Sequence, residues 1–117
     1  MKLLDTELKI MNILWEHGDT EAKKIAQILL EETGWSKPTT YIVLKKCIDK
    51  GAVSRRYPNF ICHAIISKKE AQKTETGMLL EKLFDGMPDQ LMASVFSCKK
   101  LSQEDIKKIK LIIKKFS

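Results

Sequence analysis

Metal-binding and catalytic patterns are scarce in this chain. It has two histidines, His17 and His63, and three cysteines, Cys47, Cys62 and Cys98, with no C-x-C, C-x-x-C or H-E-x-x-H among them. Residues so widely spaced do not encode a metal site by themselves, and an odd number of cysteines fits free thiols in a reducing compartment. No metal and no cofactor is expected. A glycine-rich phosphate loop is also missing, as is any Ser, His and Asp arrangement in a recognisable context, so the chain is not expected to be an enzyme. No apolar run approaches the roughly 20 residues needed to span a bilayer. The opening Met1-Lys2-Leu3-Leu4-Asp5 meets an acid before any long apolar stretch, unlike a secretory signal, and the expectation is a cytoplasmic protein.

What is present is an ordinary globular composition, 44% hydrophobic and 31% charged over 117 residues. A chain of this size can bury roughly two-thirds of its unfolded surface. The net charge of +6 is unevenly spread: Ser36 to Phe60 carries six basic residues against Asp49 alone, whereas the first 35 residues carry four lysines against seven acids. Concentrated positive charge suits phosphate contact, and a solvated lysine face is the plainer alternative.

Apolar residues Leu8, Met11, Leu14 and Trp15 follow helical spacing and predict a first helix over Asp5–His17, capped by Asp5 and stopped by Gly18. Asp19 or Thr20 then caps a second helix over Glu21–Thr33, ended by Gly34. Ser36 caps a third, with Pro38 tolerated in its first turn and Gly51 as its stop. At 100° per residue, Thr40, Val43, Leu44, Cys47 and Ile48 share an apolar face of that helix, leaving Thr39, Ile42, Lys45, Lys46 and Asp49 opposite. An exposed Ile42 in a basic helix fits contact with a thymine methyl in the major groove, or is an unremarkable surface residue. Ala52–Tyr57 and Phe60–Ile66 read as strands joined by a Pro58-Asn59 turn. Three amphipathic helices follow: one opened by Ser67 and interrupted near Gly86, one restarting at Pro88, and one capped by Ser102-Gln103-Glu104-Asp105.

The predicted fold is therefore mainly α with a small β-hairpin. A winged helix-turn-helix DNA-binding domain over residues 1–67 is followed by a three-helix module over 68–117. Short helices with leftover apolar faces invite burial against a second copy, or back onto the first block.

The run Asp5-x-Glu7-Leu8-x-Ile10-Met11-x-Ile13-Leu14-Trp15 is followed by Gly34-Trp35-Ser36 and by Leu44-x-x-Cys47-Ile48-x-Lys50-Gly51-Ala52-Val53. With Leu101-Ser102-x-Glu104-Asp105-Ile106 near the end, it resembles the penicillinase repressor family, which also contains methicillin-resistance and copper-responsive repressors. The resemblance implies a cytoplasmic winged-helix repressor that binds palindromic operators as a homodimer, in the setting of antibiotic resistance. It also implies a membrane sensor of β-lactams that triggers proteolysis within the dimerisation module. The corresponding bond here is Ser94-Val95, where β-lactam-responsive members have asparagine and phenylalanine. Copper-responsive members carry paired C-x-C motifs near the C-terminus, where this chain has Cys98.

Double-stranded DNA and a second copy of the chain are thus the expected partners. Base-edge reading is assigned to Thr39, Ile42 and Lys46, with Tyr41 at the margin, and phosphate contact to Lys37, Lys45, Arg55 and Arg56. Thr40 completes the DNA-binding set, although helical spacing turns it toward the apolar side. Tyr57 is read as support for the wing. Leu79, Leu83, Leu91, Val95, Phe96, Ile106, Ile109 and Ile113 are the expected dimerisation residues. Winged helices also serve as adaptors that never touch nucleic acid, and weak salt dependence would mark that role.

Overall fold

The computed structural model describes all 117 residues, as six helices and three short strands. In chain order these are α1 (Asp5–His17), β1 (Thr20–Glu21), α2 (Ala22–Thr33), α3 (Lys37–Asp49), β2 (Val53–Arg56), β3 (Ile61–Ala64), α4 (Lys68–Phe84), α5 (Pro88–Cys98) and α6 (Gln103–Phe116). Two compact units result, Met1–Glu75 and Thr76–Ser117, with α4 beginning in the first and ending in the second.

In the first unit, α1 is not capped by Asp5 as expected. Leu4 holds the N-cap position, and the Glu7 carboxylate reaches back to accept from its N–H at 2.7 Å, supplying the partner that a capping side chain would otherwise provide. The α2 start also differs from expectation. Thr20 and Glu21 form β1, so α2 begins at Ala22 without a side-chain cap. Two residues are too few to show a period of two, which is why this third strand left no trace in the sequence pattern. Gly34 closes α2 in the left-handed region, at φ 78° and ψ 9°, its N–H donating to the Leu30 carbonyl at 3.0 Å. That conformation costs glycine little and turns the chain directly into α3.

The sheet is antiparallel in the order β1-β3-β2, with Thr20 opposite Cys62, Val53 opposite Ala64 and Arg55 also opposite Cys62. Both wing strands are shorter than expected. The turn spans Tyr57 to Phe60, where Asn59 and Phe60 take positive φ and leave the ladder, and the chain bends away again at Ile65-Ile66. The Trp15 indole N–H donates to the Ile66 carbonyl at 2.9 Å, pinning this exit against α1.

Ile10, Met11 and Leu14 of α1, Ile25 and Leu29 of α2, Leu44 and Cys47 of α3, and Val53 and Cys62 of the sheet meet in one core. Each large aliphatic among them contributes about 1.5–3 kcal/mol by leaving water. This core presents the outer side of α3 and the wing to solvent.

The second unit is built differently. Asp85 and Gly86, at φ 50° and 76°, break the chain between α4 and α5. Ser102 and Asp105 form a reciprocal capping box at α6, with donor-acceptor distances of 3.0 and 3.1 Å. The Ser102 backbone N–H, then its hydroxyl, hold the Asp105 carboxyl below the usual carboxylate range. No residue from Thr76 to Ser117 is buried, while Leu83, Ile113 and Phe116 are 67%, 61% and 81% exposed.

Candidate nucleic-acid interface

Helix α3 forms where it does because Ser36 caps it and Pro38 occupies its first turn. The Thr39 N–H donates to the Ser36 oxygen at 3.4 Å, and the two hydroxyls lie 2.9 Å apart. Thr40, Val43, Leu44 and Cys47 are buried and Ile48 is half-buried, which leaves Thr39, Ile42, Lys45, Lys46 and Asp49 exposed. Thr40 is corrected by this arrangement. It is fully buried on the core side, its hydroxyl without a hydrogen-bond partner, and cannot reach a ligand outside. Ile42 is 59% exposed at the centre of the outer side. Lys45 forms an exposed i,i+4 pair with Asp49 at 3.0 Å, a contact weak enough to be exchanged for phosphate.

Lys50, one residue beyond α3, is committed inward. Its ammonium donates to the Glu7 carboxylate and, at 2.9 Å, to the Lys2 carbonyl. Glu7 is fully buried, and burial pushes its carboxyl up. The Leu4 N–H and the Lys50 ammonium together outweigh that, leaving it below the usual range. An ion pair thus fixes the end of α3 to the start of α1. No spacing rule connects residues 43 positions apart, so no sequence pattern signals it.

An aromatic cluster joins α3 to the wing. The Tyr41 and Phe60 rings meet edge-on at 5.9 Å and 74°, and Tyr57 lies 6.2 Å from Phe60. Cations cover it: Lys37 stands 5.7 Å from the Tyr41 centroid, and Arg55 stands 5.1 Å from Phe60 and 5.6 Å from Tyr57. Arg56 leans instead toward Asp19 at 3.7 Å, and His63 Nδ1 lies 2.7 Å from the same carboxylate. Lys37, Tyr41, Arg55 and the outer side of α3 therefore form a linked basic surface. Phe60 was not among the residues singled out from sequence, and a phenylalanine beside a turn carries no signal of such a role.

The buried thiols take no part. Burial, reinforced by the Glu7 carboxylate, pushes Cys47 up to about 12, and burial pushes Cys62 up to about 11. Both remain neutral S–H groups that fill core space. In the second unit, Leu79, Leu83, Phe96 and Ile113 are exposed, and Leu91, Val95, Ile106 and Ile109 are half-buried. The Ser94-Val95 bond lies inside α5, with Ser94 exposed. No helix is long and apolar enough to cross a membrane.

A family model described as penicillinase repressor matches residues 3–115. The chain belongs to the penicillinase repressor family. This family member is similar to the methicillin resistance regulatory protein MecI of Staphylococcus aureus, with 21% identity over 116 residues, covering 97% of this chain and 94% of MecI. It is also 22% identical over 114 residues to an uncharacterized 16.5 kDa protein of Latilactobacillus sakei, covering 96% and 78% of the two chains. Among solved structures, the DNA-binding domain of the repressor BlaI superposes with a TM-score of 0.55 at 24% identity, over 59% of this chain and 87% of that one. The Bacillus licheniformis BlaI monomer in complex with the blaP half-operator gives 0.53 at 24% identity, over 60% and 88%. These likenesses show the winged-helix fold.

Proposed function

We propose that the chain is a transcriptional repressor that binds palindromic operator DNA as a homodimer and controls β-lactam resistance genes. The observation that carries the reading is the division of α3. One side is locked into the core, and the other offers Thr39, Ile42, Lys45 and Lys46 beside the arginines of the wing. A helix held this way can enter a major groove, with Thr39, Ile42 and Lys46 against base edges and Lys37, Lys45, Arg55 and Arg56 on phosphates. Tyr41 stands at the margin of the reading face. The half-operator complex of BlaI, a protein of the same fold, supports DNA as the ligand.

The second unit supports a second copy as partner, since no residue from Thr76 to Ser117 is buried although Leu79, Leu83, Phe96 and Ile113 are apolar and exposed. Two-fold pairing through these residues, with Leu91, Val95, Ile106 and Ile109 completing the apolar surface, would set two reading helices about 34 Å apart, one turn of DNA. Cleavage at Ser94-Val95, in answer to a membrane sensor or another protease pathway, would divide that pairing surface, and α5 must open locally for it to occur. The family name and the MecI relationship support the β-lactam setting.

The test is capture of sheared DNA from the protein's own source at about 0.15 M salt, with bound fragments sequenced. A recurrent palindrome upstream of resistance genes is the expected result. Capture without a palindrome, or affinity indifferent to salt, would refute the reading and favour an adaptor.

A further inference from the structure

Phe60 has an unusual backbone for its side chain. At φ 48° it lies in the left-handed region, which a bulky L residue rarely adopts unless its surroundings impose it. Its surroundings do so from both sides. Its carbonyl accepts from the Ala22 N–H at 2.9 Å, and its ring is held by Tyr41 of α3 and Tyr57 of the wing. The ring so placed carries the Arg55 guanidinium at 5.1 Å, with Tyr57 at 5.6 Å also beneath or beside it.

From this we infer that Phe60 is a positioning residue for the nucleic-acid interface: it seats the Arg55 guanidinium and ties it to Tyr41 of the reading helix. The inference rests on the operator-binding reading and adds to it how the wing is aligned. A guanidinium stacked on rings keeps its N–H edge free, and that edge is a rigid fork matched to two phosphate oxygens. An ammonium in its place has the charge without the plane. The two wing arginines are consequently unlike: Arg56 is drawn toward Asp19, whereas Arg55 forms no ion pair and is oriented by aromatic faces. Because Tyr41 packs on the same ring, the position of Arg55 is referred to the helix proposed to read bases and not to the turn alone.

The test measures affinity of the full chain for the strongest fragment recovered by the capture experiment, by fluorescence anisotropy, with thermal midpoints recorded for every variant. Phe60→Leu should weaken binding about three- to tenfold, the range of a partly exposed cation–π contact, and Phe60→Tyr should stay within about twofold of the parent. Arg55→Lys should lose as much as Phe60→Leu despite its retained charge, and the double variant should lose no more than the weaker-binding single one. Full affinity in Phe60→Leu or Arg55→Lys, or losses that multiply in the double variant, would overturn the inference. If Phe60→Leu unfolds, Arg55→Lys alone decides. Failure of the parent to bind any fragment would overturn the operator reading and this one together, whereas parent binding with an indifferent Phe60→Leu overturns only the latter.

Discussion

Removing Lys50 should destabilise the first unit far more than removing the charge of Glu7, and the penalty should vary with pH. Glu7 is fully buried, with Oε1 accepting from Leu4 and Lys50 and Oε2 accepting from no group. Lys50 keeps 33% of its side chain in contact with solvent. Lys50→Met would strand a buried carboxylate on one N–H, and a stranded buried charge costs about 3 kcal/mol or more. That is a large part of the roughly 5–15 kcal/mol available to a domain. Glu7→Gln instead leaves an ammonium that can turn to water and keeps an acceptor for Leu4, so about 1 kcal/mol is expected.

The gap between the two backgrounds should narrow in acid. In the parent, the folded carboxyl titrates below its ordinary value of 4.5, so its contribution is present above that value and is lost as pH falls through the lower, folded one. In Lys50→Met, burial still raises the folded carboxyl while the ammonium that lowers it is gone, so it should titrate higher than in the parent. The variant's deficit is then full at neutral pH and narrows as Glu7 takes up a proton. Urea unfolding followed by tryptophan fluorescence reads this unit alone, because Trp15 and Trp35 both lie in it. A deficit under about 1 kcal/mol for Lys50→Met at pH 7, or a larger one for Glu7→Gln, would refute the reasoning.

Other outcomes follow from single contacts. Thr40→Val replaces a buried hydroxyl that has no partner by a methyl, and should raise the unfolding free energy by about 1 kcal/mol while leaving DNA selectivity unchanged; altered selectivity would return Thr40 to the reading face. Ile42→Ala should relax preference at one base pair by about 1 kcal/mol, measured by competition among operator variants, and an unchanged preference would remove it from the base-reading set. Arg55→Ala should weaken all sequences alike and reduce the slope of log affinity against log salt by about one. Phe96→Asp or Ile109→Asp should dissociate the proposed dimer in sedimentation and weaken operator binding steeply; a variant that stayed dimeric would remove those side chains from the pairing surface.

What could be read from the sequence was whatever repeats at short range. The division of α3 into Val43, Leu44 and Cys47 inward and Ile42, Lys45 and Lys46 outward follows from 100° per residue and the Ser36 cap, and the structure has that division. Ser102 and Asp105 announce their capping box in the same way. Thr40 shows the weight of periodicity: helical spacing turned it inward although it was counted in the DNA-binding set, and its burial agrees with the spacing. Long-range partners were silent. Nothing at Glu7 points to Lys50, nothing at Asp19 points to Arg56 and His63, and β1 exists only because Thr20 and Glu21 find the edge of β3.

The two units differ in how far physics within one chain can account for them. In Met1–Glu75, each apolar periodicity in the sequence finds a partner surface in the same unit, so sequence pattern and burial agree. In Thr76–Ser117, α6 places Ile106, Ile109 and Ile113 at helical spacing, yet none becomes buried. Helices this short gain little stability from propensity alone, and most must come from packing of an apolar side. Ile106 and Ile109 are half-buried and Ile113 is exposed, and the proposed pairing with a second copy would cover that remaining apolar surface. On the proposed reading these apolar residues serve association, and the oligomeric state and the operator affinity should fall together when that surface is charged.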